Sequence, residues 1–266
     1  MNDLEYLSKN LAEFKQRYTK FAASVSALTD AFSNAFNVPV ITSHPDYLVL
    51  GLSRLCSDRF EDILILCSQR RGEGAMPLVR AMFEGLVNAS YIRAHPEKAE
   101  DFIRYLFVFV KRVQTQAERL NGKILSAEQK KIVDDALASY SASGQRPRRK
   151  HDWTDLNLVD RAKDVGFAEY VVAAYYRPTE TAHPSMLHLY SLSKKANGKQ
   201  LMFGASEEFA NQKVGEALRI SHFLAIEVLV LLHKTFGNEQ LKPLIARCLR
   251  DYSESWAGFD LADGQT

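Results

Sequence analysis

The chain has 266 residues, 46% of them hydrophobic, which is enough for a substantial core and excludes a disordered protein. Its 13 glycines and 8 prolines make about 8% of the residues against roughly 12% in average proteins, so turns are scarce, elements are long, and a many-stranded sandwich or barrel is excluded. A net charge of +2 excludes a whole-molecule field that would draw the protein to nucleic acid or a membrane, so any basic surface must be local.

Apolar residues recur at helical spacing from Leu4 to Phe36 and predict one long amphipathic helix. The N-terminus is charged from the outset and has no apolar stretch, so neither a signal peptide nor a lipid anchor is expected. Pro45 suits the first turn of a second helix running to about Gln69. Arg70 to Gly74 predicts a turn, and a third helix runs from about Ala75 to Ala94, where His95-Pro96 ends it. Pro96 opens a fourth helix to about Leu120, closed by Asn121-Gly122. Ser126 and Gln129 form a capping box for a helix to about Ser141.

A basic loop or arm over 143–152 follows, then two short helices, about 154–164 and 167–176. Arg177 to Leu192 is a proline-punctuated segment, followed by a polar loop through Gly204. A helix from about Glu207 to Phe236 is apolar on most sides and is expected at the centre; its most apolar run, Phe223 to Leu232, is too short to span a membrane. A short helix over 239–252 and a frayed tail complete the chain. The expectation is an all-α bundle of about eight to ten helices in a single domain over 1–266, with its core in 1–252.

Phosphate-loop, zincin, paired-cysteine and hydrolase-elbow motifs are absent. Cys56, Cys67 and Cys248 have no metal-type spacing and point to reduced thiols in a cytoplasmic protein. His183 and His188 are wrongly spaced to share an ion on a helix. Neither a metal nor a cofactor is expected.

Two segments carry polar residues in patterns that matter. On the third helix Arg80, Glu84, Asn88 and Tyr91 fall on one narrow face, surrounded by Val79, Met82, Phe83, Leu86, Val87 and Ile92. Such a stripe is either an internal network or the wall of a cleft, and Glu84, one turn from Arg80, supplies the partner that a buried guanidinium needs. The second segment runs from Tyr175 to Ser185 and holds Arg177, Thr179 and His183. Pro184 biases His183 away from helical angles and toward capping a helix from Pro184 to Leu192. A helix N-terminus favours the neutral imidazole that a general base needs and offers N–H groups to an anion, and Arg177 has the fork to clamp a phosphate. The alternative is a histidine that only caps its helix.

Arg80 with Glu84, Trp153, and the run Tyr176, Thr179, His183, Pro184 resemble a bacterial all-helical domain family of unknown function, over roughly residues 50–195. Arg177, five intervening residues and His183 also resemble the R-x(4-6)-H signature of the HEPN superfamily. That second resemblance implies an all-helical, metal-independent ribonuclease, often a homodimer and often a toxin or phage-defence effector held by a protein partner or antitoxin. In it His183 takes a proton from the ribose 2′-hydroxyl or delivers one to the leaving 5′-oxygen, and Arg177 stabilises the phosphate. Arg80 and Glu84 complete the pocket, with Tyr176, Thr179 and Ser185 contacting substrate.

Arg148, Arg149 and Lys150 in the basic loop, with Lys194, Lys195 and Lys199 beyond the histidine, are candidate RNA phosphate contacts. The plainer reading is solvated loops. Trp153, Tyr175 and Tyr176 either stack a base or anchor the chain to the bundle. Two functions therefore stand open: a ribonuclease acting through His183, and a non-enzymatic interaction or sensor module whose polar stripe is structural.

Overall fold

The computed structural model describes residues 3–37, 41, 43–142, 153–182, 193–196, 200–203 and 207–258. It is an all-α bundle of the expected kind. In chain order the helices are α1 (Asp3–Arg17), α2 (Thr19–Ala35), α3 (His44–Ser68), α4 (Gly72–Ala94), α5 (Ala99–Arg119), α6 (Ala127–Ala142), α7 (Leu158–Asp164), α8 (Arg177–Ala182), α9 (Glu207–Phe236) and α10 (Leu241–Ser255).

The expected single N-terminal helix is two helices. Tyr18 leaves helical geometry at φ −111° and ψ 42°, and its hydroxyl donates to the Asn211 carbonyl at 3.3 Å. At the break the Thr19 hydroxyl donates to the Gln16 carbonyl at 2.7 Å, satisfying an acceptor that the interrupted ladder leaves open. The apolar stripe runs straight through this point, so it carries no sign of the interruption.

Other boundaries follow local chemistry. Ser43 caps α3 by accepting from the Asp46 N–H at 3.2 Å. Arg70, at φ +61°, turns the chain between α3 and α4, with the Arg71 N–H returning to the Leu66 carbonyl at 2.9 Å. The Ser126–Gln129 capping box forms in both directions, at 2.9 and 3.1 Å.

Helix α4 is the spine. Val79, Met82, Phe83, Leu86, Val87 and Ile92 are fully buried, in one apolar cluster with α2, α3, α9 and α10. Gly72 at its start abuts Val214 and Arg93 at its end reaches Lys234, so α4 and α9 run parallel along their lengths. The closeness at Gly72 requires glycine: a Cβ there would stand 2.2 Å from the Val214 backbone nitrogen.

The expected polar loop through Gly204 contains an antiparallel hairpin, β1 (Ser193–Ala196) with β2 (Gln200–Phe203), in which Lys194 pairs with Met202 and Lys195 with Leu201. The Asn197-Gly198 dipeptide between the strands is the sequence signal for it. The basic loop over 143–152, the helix expected over Pro184 to Leu192 and the C-terminal tail from 259 lie outside the described residues.

Candidate functional site

The polar stripe of α4 meets the segment after α7, and the meeting is built by a change of helix type. After a 3-10 turn over Ala168–Tyr170 the chain forms a π-helix, Val172–Tyr176, and passes directly into α8. The π-helix closes with the Arg177 N–H donating to the Val172 carbonyl, five residues back. Pro178 explains it: proline has no N–H to give, and in a regular α-helix its ring would press on the Ala174 carbonyl. The expected end of the helix near residue 176 is thus a widening, and helical structure continues to Ala182.

That geometry brings Tyr175 and Thr179, one turn apart, against Arg80. Arg80 Nε donates to Glu84 Oε1 at 2.7 Å, Nη1 to Thr179 Oγ1 at 3.0 Å, and Nη2 to the Tyr175 hydroxyl at 3.4 Å. The guanidinium carbon also stands 4.5 Å from the centre of the Tyr175 ring. The Thr179 hydroxyl in turn donates to the Tyr175 carbonyl one turn back at 2.6 Å, which fixes its direction. Three of the five N–H groups of Arg80 are thereby committed, leaving two. The ion pair is part-exposed, with 25% of the Arg80 side chain and 39% of the Glu84 side chain open to solvent.

Arg80, Glu84 and Thr179 thus converge, and Tyr175 joins them rather than offering its face to a base. Tyr176 is 52% exposed and packs edge-on against Tyr175, with ring centres 5.3 Å apart. Arg177 is not part of the cluster. It lies midway between Tyr175 and Thr179 in sequence, and so on the other side of its helix. It is half-buried and forms no ion pair among the described residues. His183 and Ser185 lie outside the described residues, as do Arg148, Arg149, Lys150 and Lys199.

The rest of the α4 stripe turns inward. The Asn88 side-chain oxygen is buried with no hydrogen-bond partner among the described residues. Tyr91 is buried edge-on against Trp153, at 5.8 Å between ring centres. Trp153 is only 7% exposed, packs at 4.9 Å on Phe102 and carries the Arg161 guanidinium over its ring at 5.1 Å. It anchors the chain entering α7 to the bundle. Tyr175 and Thr179 are the two members of the cluster that the stripe on α4 does not announce; of these, Tyr175 is the one not among the expected site residues, and its signal is the i, i+4 spacing to Thr179.

Among the described residues no group of three His, Cys, Asp or Glu side chains is placed to hold a metal ion, and no helix is long and apolar enough to cross a membrane. No curated protein and no solved structure matches the chain. A family of unknown function, DUF5677, matches residues 46–200, from the start of α3 through the α4 stripe and the Arg80 cluster to the hairpin. With more than half of its length covered by that match, the chain belongs to the DUF5677 family.

Proposed function

We propose that this protein is a metal-independent ribonuclease in which His183 moves a proton and Arg177 stabilises the phosphate, while Arg80 and Glu84 position α8, which carries Arg177 and precedes His183 in the chain. The observation supporting this reading is the clamp of Arg80 on Tyr175 and Thr179, which holds α8 against the core two residues beyond Arg177 and four before His183. Arg177 has its guanidinium uncommitted among the described residues, as a phosphate contact requires. In the reaction the ribose 2′-oxygen bonds to phosphorus as the bond to the 5′-oxygen breaks; the 2′-hydroxyl gives up its proton and the leaving oxygen gains one, with His183 serving one of these transfers. Tyr176, exposed beside the clamp, offers a face on which a base can stack. A homodimer, RNA contacts from the basic segments and restraint by a protein partner belong to the same reading.

A specific observation favours the second reading. The Arg80 guanidinium is bound within the fold to Glu84, Thr179 and Tyr175, which is what a structural network in a non-enzymatic interaction module requires. Incubating the protein with end-labelled RNA in EDTA separates the two. The ribonuclease reading expects fragments ending in a cyclic phosphate that vanish with His183→Ala; no cleavage, or equal cleavage by the variant, leaves the interaction module.

A further inference from the structure

Where α4 and α9 end side by side, the turn after α7 leaves an open cleft of about 330 Å3 that contains none of the residues of the Arg80 cluster. Its charges are arranged by position. Glu227 is the one carboxylate among the described residues of its wall. It is half-buried in the otherwise apolar Phe223–Leu232 stretch of α9, one turn from Phe223, which stacks on Tyr170, and forms no hydrogen bond or ion pair among the described residues. Burial pushes its carboxyl above the ordinary carboxylate range, opposed in part by Lys234. Burial, then the neighbouring Glu169, pushes the Tyr170 hydroxyl up to about 12, and the Glu227 carboxylate adds a smaller part.

Lys234 lies two helical turns further along the same face of α9, about 10 Å away along the axis. There the Arg93 guanidinium donates to the Lys234 backbone carbonyl at 3.1 Å, and both cationic residues line the far end of the cleft. Val230, Leu231 and Phe167 line the space between.

A simple anion placed in this cleft meets Glu227, and a simple cation meets Arg93 and Lys234. We propose that the cleft binds a small, elongated zwitterion, with an ammonium at Glu227, an anionic group at Arg93 and Lys234, and an apolar middle over Val230 and Leu231. Lys234 acts on Glu227 only through space, and an incoming ammonium supplies a direct, hydrogen-bonded counter-charge at a half-desolvated carboxylate, where the gain is largest. This goes beyond the ribonuclease reading and does not depend on it.

The probes are 4-aminobutanoate, 6-aminohexanoate and 8-aminooctanoate, with hexanoate and hexylammonium as controls that each lack one end. Saturation-transfer NMR titration of the full chain at neutral pH is expected to give saturable binding of at least one aminoalkanoate, with both controls weaker by about tenfold or more. Glu227→Gln should weaken the aminoalkanoate by about tenfold while leaving hexanoate unchanged or tighter, and Lys234→Ala should weaken hexanoate as well. Melting curves of both variants confirm folding. Failure of all three aminoalkanoates to bind, or binding that is the same in Glu227→Gln, overturns the proposal.

Discussion

Arg80 and Thr179, 99 residues apart in the chain, meet at 3.0 Å, with the guanidinium donating to the threonine hydroxyl. The same hydroxyl donates onward to the Tyr175 carbonyl at 2.6 Å. One side chain therefore accepts from the spine helix and donates within its own, so each bond polarises the other.

Thr179→Val keeps the shape and removes both bonds. It is expected to cost about 1–2 kcal/mol, because the Arg80 donor and the Tyr175 carbonyl lose their partner together. Thermal unfolding reads this as a fall of about 2–4 °C per kcal/mol. A melting temperature equal to wild type would show that the clamp does not hold α8.

Glu84→Ala leaves the Arg80 Nε without its acceptor. Since 39% of the Glu84 side chain is exposed, water replaces part of the loss, and the expected cost is about 1 kcal/mol. Glu84→Gln retains an acceptor and should lose less. Equal stability of the Ala and Gln variants would mean that the 2.7 Å contact contributes nothing.

Gly72→Ala tests the parallel pairing of α4 and α9. The added methyl would meet backbone at 2.2 Å, which no rotamer change relieves, so α4 or α9 must shift at a cost of about 1–3 kcal/mol or more. A neutral or stabilising outcome in chemical denaturation would contradict the packing.

Local chemistry made much of this fold legible. The Ser126–Gln129 box, the Pro45 helix start and the apolar surround of the α4 stripe are features of neighbouring residues, and each forms as the sequence suggests, while Pro96 opens a 3-10 turn, Pro96–Lys98, that leads into α5. What escaped depends on distant partners. The break at Tyr18 rests on a bond to Asn211, and the approach of Tyr175 to Arg80 spans 95 residues. Pro178 reads in sequence as the end of a helix, whereas here a π-helix absorbs its missing N–H and the chain stays helical. The site was legible as two segments, which the resemblance implied share a pocket; that Tyr175 and Thr179, and not Arg177, are what meets Arg80 was not.

His222 predicts a specific acid response. Trp256 Nε1 donates to His222 Nδ1 at 3.2 Å, and because an indole only donates, the imidazole is neutral with its hydrogen on Nε2. Burial depresses its pKa from 6.5 to about 4. Above pH 6.5 neither state binds this proton and the full stability is present. Between 6.5 and about 4 the unfolded chain takes up the proton first, so stability falls as pH falls, with a slope approaching about 1.4 kcal/mol per pH unit from this residue. His222→Gln should flatten that part of the profile, and an unchanged slope in the variant would contradict the assignment.

The central claim is that Arg177, on the helix clamped by Arg80, and His183, which follows it in the chain, make a ribonuclease site. It is tested most directly by the rate of RNA cleavage in EDTA by wild type, His183→Ala, Arg177→Ala and Thr179→Val, purified identically. The account predicts cleavage by wild type, a loss of about 100-fold or more with His183→Ala, a large loss with Arg177→Ala, and a smaller loss with Thr179→Val, which acts only through position. Cleavage that persists unchanged in His183→Ala, or a wild type that leaves RNA intact, would contradict it.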